Sequence, residues 1–202
     1  MRIFSTVLMV ICAIALAVLL FFMTGVFLYS LAPAIKSQMT ISPVSYDAVK
    51  SFDNKFDTFK DDVKKAAAAG QKVDVSLKLT EEELNSKIVE LLADGELPCR
   101  DLLVNFEDDY IWLYAVMNNR GIDAKIGLVG KFDIVDSDVS VIVEDFFLGK
   151  LPITKSPDEK VGKLLDIVWI MQNPFKDMPV KLTYISIDKG SITFEGVTTA
   201  AE

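Results

Sequence analysis

The 202-residue sequence predicts an α+β protein: an N-terminal transmembrane helix, then a curved antiparallel sheet of about seven strands packed with two or three helices. Three observations carry that expectation. Residues 3–31 form an apolar run without a charged side chain. Three later stretches repeat apolar residues at three- and four-residue steps between polar ones, the period of an amphipathic helix. From Leu102 onward, short apolar runs follow one another across turn-forming residues, which reads as hairpin-linked and therefore antiparallel strands. Helices covering one face of such a sheet give the α+β class. The chain divides into an anchor over 1–35, a spacer and amphipathic helix over 36–70, and an α+β domain over 71–202.

The anchor comes first. At about 1.5 Å per residue, residues 3–31 span roughly 44 Å, and about 20 apolar residues suffice to cross a bilayer. Phe27 and Tyr29 lie near the far end, where aromatic side chains favour the interface, and Pro33 ends the helix. A cleaved signal peptide is the competing reading. Its apolar region usually runs about 7–15 residues, much shorter than this one. Ser30-Leu31-Ala32 resembles a cleavage site, but Pro33 follows the cut, and bulky Ile11 before Cys12 argues against a lipoprotein. Arg2 and the terminal amine against Lys36 favour a single-pass protein of the cell membrane with a cytoplasmic N-terminus and the domain outside.

Composition then narrows the chemistry. Net charge is −8, and −9 once Arg2 is set aside. An acidic domain is repelled by phosphate backbones and by anionic lipid headgroups, so no nucleic acid is expected among its partners, and any lipid contact is expected to use apolar surface rather than a basic patch. There is no histidine, which removes the commonest general base, the Ser-His pair and the usual transition-metal ligand. Cys12 lies in the apolar run and Cys99 far from it, so no disulfide frames the domain, and Cys99 reads as a small core residue.

Residues 32–45, with Pro33 and Pro43, read as a spacer. Over Tyr46–Ala69, Val49, Phe52, Phe56, Phe59 and Val63 make an apolar stripe, and Gly70 is the stop. That stripe packs on the domain's own sheet, lines a lipid groove, or meets a partner. Val73–Leu79 alternates as a half-buried strand. Thr80 and Glu83 form a capping box for a helix with Leu84, Ile88, Leu91 and Leu92 on one side. The expected strands are Leu102–Phe106, Tyr110–Met117, Ile122–Val135 and Val139–Phe147, with Gly127 and Gly130 relieving a bend or bulge in the third. Lys160–Met171 reads as a short amphipathic helix. Val180–Ile187 and Ser191–Val197 form a hairpin over Asp188-Lys189-Gly190, and the tail after it frays.

Carboxylates are the one source of catalytic material, and each cluster has a plainer reading. Glu107-Asp108-Asp109 and Asp136/Asp138 read as turns, the latter short of the spaced ligands of a calcium loop. Glu144 and Asp145, if buried, would need a partner such as Lys150 or Arg120. Phosphate-loop and dinucleotide glycine patterns are absent. No catalytic residue, metal or cofactor is therefore expected.

Two motifs carry a resemblance: the strand leading into the helix that starts Leu84-Asn85, and Phe146-Phe147-Leu148-Gly149-Lys150-Leu151-Pro152, which leads into a helix and a last strand pair ending Ile192-Thr193-Phe194-Glu195-Gly196. With the anchor, these make residues 70–197 similar to the YpmS-like membrane-anchored extracytoplasmic proteins of Gram-positive bacteria. They are also distantly similar to tubular lipid-binding (TULIP-like) domains. The resemblance implies an extracytoplasmic domain and brings no catalytic residues.

The expected function is thus non-enzymatic binding of a lipid or another elongated apolar ligand, by moving apolar area out of water at about 25 cal/mol per Å². The expected ligand-binding residues are Phe52, Phe56, Phe59, Val139, Val141, Val143, Phe146 and Phe147. The alternative is a structural or adaptor protein of a cell-envelope complex that binds a protein partner through the phenylalanine stripe or a sheet edge. The bilayer itself is a partner through residues 3–31. A retained anchor predicts that intact-mass measurement of the membrane-extracted protein returns about 22.4 kDa. A mature terminus near Pro33 would exclude it.

Overall fold

A computed structural model describes residues 2–119, 121–135, 138–151, 175 and 178–199. Helix α1 (Arg2–Ser30) is the predicted apolar run. From Ile14 to Thr24 its side chains are exposed, Phe21 by 82%. It is the one helix among the described residues long and apolar enough to cross a membrane. After a 3-10 turn (Ala34–Ser37) come α2 (Tyr46–Ala68), β1 (Asp74–Thr80), α3 (Glu81–Ala93), β2 (Asp101–Glu107), β3 (Tyr110–Asn119), β4 (Ile122–Val135), β5 (Asp138–Leu148), β6 (Val180–Asp188) and β7 (Ser191–Thr198).

The expected seven-strand sheet is two sheets. β2-β3-β4-β5 form a four-stranded antiparallel meander, and β1-β7-β6 form a separate three-stranded antiparallel sheet. The first strand of the domain thus pairs with the last, Asp74 opposite Val197 through Thr80 opposite Ser191. α3 stands between β1 and β2 and seals the β2 edge. Asn85 is 2% exposed and faces Val104, donating from Nδ2 to the Val104 carbonyl (2.7 Å) and accepting its N–H on Oδ1 (2.9 Å). One helical turn earlier, Glu81 Oε2 accepts the Phe106 N–H (3.0 Å). The Phe106 carbonyl accepts from Gly190 N–H in the β6–β7 turn (3.0 Å). With the outward groups of Val104 and Phe106 taken, that stretch of β2 offers β1 no free donor or acceptor, and the strands close as two sheets.

One continuous core lies between the sheets and the helices. It gathers Phe59 and Val63 of α2, Leu84 and Ile88 of α3, Val104, Phe106 and Ile111 of one sheet, and Leu77, Ile192 and Phe194 of the other. α2 and α3 both end as glycine-capped Schellman motifs. Gly70 (φ 64°) and Gly95 (φ 73°) take the left-handed conformation, while Gln71 N–H reaches the Ala66 carbonyl and Glu96 N–H the Leu91 carbonyl, each at 3.0 Å. The capping box at Thr80 and Glu83 is present as predicted. The register shift in β4 falls at Val129/Gly130, where a Cβ would press on the Ile142 carbonyl.

The spacer is not free chain. Ile35 and Met39 are buried against Leu103, Tyr114 and Val116 on the outer face of the four-stranded sheet. A Cβ on Gly127 would collide with Ile35 Cγ2 and press on Pro33, so this glycine opens the seat for the juxtamembrane segment. The predicted helix over 160–171, Asp136 and the last residues of the tail lie outside the described residues.

Replacing Asn85 by Ala leaves the Val104 N–H and C=O buried without partners. At about 1–3 kcal/mol for each group, chemical unfolding of the detergent-solubilised chain should show a loss of about 2–4 kcal/mol. An unchanged midpoint would mean that the α3–β2 seam does not hold the fold.

Candidate functional site

α2 forms because its apolar residues fall on one side and its first turn is capped. Ser45 Oγ accepts the Ala48 N–H (3.1 Å), and Asp47 sits in the positive first turn. Phe59, Val63 and Ala67 are buried, which turns Asn54, Lys55, Thr58, Asp62 and Lys65 outward. These polar residues make one wall of a groove of about 880 Å³, and β1 makes the other. Phe59, Val75 and Leu77 give the groove its apolar floor.

The free edge of β1 opens into that groove. The hydrogen-bond phase is fixed at both ends of the strand. The Val73 carbonyl accepts from Thr198 N–H (3.0 Å), and Glu81 N–H donates to the Gly190 carbonyl (2.9 Å). Odd-numbered residues therefore bond to β7, and Asp74, Ser76 and Lys78 turn their N–H and C=O groups the other way. Among the described residues none of those six groups has a protein partner. The contrast with β2 is sharp: one edge is occupied by side chains and a turn, the other is open along a groove.

A buried carboxylate closes the Thr80 end. Glu83 accepts hydrogen bonds from Thr80 N–H (2.9 Å), Ser51 Oγ (2.5 Å) and Lys55 Nζ (2.8 Å), tying α2 to the cap of α3. Burial pushes its pKa up, but the hydrogen bonds from Lys55, Ser51 and the Thr80 N–H outweigh burial and hold the carboxyl below its ordinary value.

The eight side chains predicted to line a ligand site are distributed over several places. Phe59 lines the groove and also belongs to the core, edge-on to Phe175 at 5.8 Å. Phe52 and Phe56 stack on each other (6.0 Å) and lie half-buried against the core. Val139 is buried in the same core, with Val141 and Val143 half-buried beside it. Phe146 is half-buried opposite Leu128. Phe147 lies on the opposite face, with the cluster that seats the juxtamembrane segment. The groove residues Asn54, Thr58, Asp62, Asp74, Ser76 and Lys78 were not singled out from sequence. The available signal was the alternation of β1, which puts Asp74, Ser76 and Lys78 on one side of a strand.

The carboxylates of the β2–β3 turn and of the second half of β5 lie at the surface. Glu144 and Asp145 are exposed, and Glu144 meets Lys131 (3.4 Å) rather than Lys150, while Arg120 lies outside the described residues. Glu107 pairs with Lys189 (3.3 Å) across the two hairpin turns. Cys99 is half-buried rather than fully buried, and burial, helped by nearby Asp101, raises its pKa and keeps the thiol protonated. Among the described residues no group of three or more acidic or cysteine side chains is placed to hold a metal ion. No protein-family model matches the chain, and no curated protein matches it.

The lowered pKa of Glu83 gives a signed expectation. Its contribution to stability is fully present above the ordinary carboxylate pKa and is lost as pH falls through the lower folded-state value. The melting temperature should therefore drop on acidification below about pH 5. Glu83→Gln should lower it at neutral pH and flatten that acid-side drop. A variant that keeps the full slope would show that Glu83 does not supply it.

Proposed function

We propose that the protein is a membrane-anchored adaptor, held by α1 in the cell membrane with its domain outside, that captures an extended segment of a protein partner along β1. The carrying observation is the open edge at Asp74, Ser76 and Lys78, facing the groove under α2. An extended chain laid there would take up main-chain hydrogen bonds as a fourth strand of the β1-β7-β6 sheet, with specificity from the side chains it lowers into the groove. Every second residue would meet Phe59, Val75 and Leu77, and the others would meet the charged rim of Lys55, Asp62, Lys65, Asp74 and Lys78. The reading uses surface and backbone, and no reactive group.

A second reading places a lipid or another elongated apolar ligand in the same groove. Its apolar floor supports it, and the volume of about 880 Å³ lies in the range of ligand sites. The resemblance of the motifs in residues 70–197 to YpmS-like and TULIP-like proteins would imply this reading and an extracytoplasmic position. It leaves the free backbone groups of β1 unused, which is why the peptide reading is preferred.

A photo-crosslinking amino acid at Thr58 in cells separates the two. The adaptor reading expects one dominant protein adduct. Ser76→Pro deletes an N–H that points away from β7, a place where an edge strand tolerates proline, so the domain should stay folded while the adduct falls at least about tenfold. An adduct unaffected by that substitution would refute capture on β1. Lipid co-purifying with the intact chain, without a dominant protein adduct, would favour the second reading.

A further inference from the structure

The end of α1 is built into the domain. Lys150 N–H donates to the Leu28 carbonyl (2.8 Å), one of the terminal helix carbonyls that lack an intrahelical partner. Gly149, at φ 59°, passes so close that a Cβ would collide with the Leu28 and Tyr29 carbonyl oxygens, and its N–H donates to the Lys125 carbonyl (2.6 Å). The start of β4 and the end of β5 are thus held beside the last turn of the apolar helix, whose exposed apolar surface runs to Phe27. A bilayer crossed by α1 would have its headgroup layer at this corner.

Three lysines stand at this corner: Lys36 from the juxtamembrane turn, Lys125 at the start of β4 and Lys150 after β5. None of the three is within ion-pair distance of a carboxylate among the described residues. Lys36 holds its ammonium group over the Tyr114 ring, 4.4 Å from the centroid. In a chain of net charge −8, a group of cations without described carboxylate partners at the helix exit is the opposite of the average surface.

We propose that this corner is a docking surface for anionic phospholipid headgroups in the leaflet where α1 emerges. Two features select that occupant: its charge complements the lysines, and the surface continues the apolar one that α1 offers to acyl chains. A lysine near an anionic membrane contributes on the order of a fivefold preference, screened by salt. Lys125 and Lys150 are distant from the anchor in sequence and come to it by folding.

The test uses the full chain in nanodiscs of mixed phosphatidylcholine and phosphatidylglycerol, with lipids retained on the protein counted by native mass spectrometry. The wild type should enrich phosphatidylglycerol at least about threefold over the supplied ratio, and the enrichment should fall at high salt. K36Q/K125Q/K150Q should lose it. K50Q/K64Q/K72Q, which removes the same charge from exposed lysines elsewhere, should keep it. Wild type without enrichment, or equal loss in both triple variants, overturns the proposal. If the corner variant fails to fold, wild-type enrichment that is indifferent to salt overturns it as well. The inference rests on α1 crossing the bilayer. Release of wild type from membranes by alkaline carbonate would show that failure separately and would take the proposal with it.

Discussion

Two hydrogen bonds between one buried amide and one backbone residue decide the architecture. Asn85 satisfies both the N–H and the C=O of Val104, and Glu81 takes the next outward N–H at Phe106. A buried backbone group without a partner is too costly to tolerate, so the edge of β2 needs either another strand or a substitute for one. α3 is the substitute. Once it is in place, β1 can pair with β7, the strands divide into sets of four and three, and the far edge of β1 is left beside α2. The groove is a by-product of how the other edge was sealed.

A second consequence concerns the helix α1. The segment after it seats Pro33 and Ile35 over Gly127, and the turn after β5 meets its last carbonyls. Glycine at 127 and 149 is required for different reasons. At 127 the space that a side chain would fill is occupied by Ile35. At 149 the left-handed backbone and the closeness of two carbonyl oxygens both exclude a Cβ. The juxtamembrane segment thereby extends the domain's outer face instead of acting as a tether.

Much of the local structure was legible in the sequence, and the pairing was not. The apolar period placed α2 and α3, the Thr80/Glu83 spacing gave the cap, and the turn residues gave the β2–β5 meander and the last hairpin, because each is a local signal. That β1 pairs with β7 depends on partners more than one hundred residues apart, and no local pattern encodes it. A polar Asn85 beside Leu84 and Ile88 was a visible departure from the apolar stripe, and only its contact with Val104 explains it. The phenylalanine stripe is one face of a helix, as its spacing predicts. Whether such a face meets a ligand or the protein's own interior depends on what stands opposite, and for Phe59 that includes Phe175, far along the chain. The groove was hidden for the same reason: its walls are two elements whose polar faces look ordinary until they are placed side by side.

The contact between Lys150 and Leu28 also has a mechanical side. A domain on a flexible tether tumbles, and its binding cleft samples every heading above the bilayer. If α1 crosses the bilayer as proposed, that contact would make the domain and its helix turn together about the membrane normal, and the groove would keep a constant height and sweep a circle. A membrane-borne target would then search for it by lateral diffusion and spin alone, a two-dimensional encounter in place of a three-dimensional one.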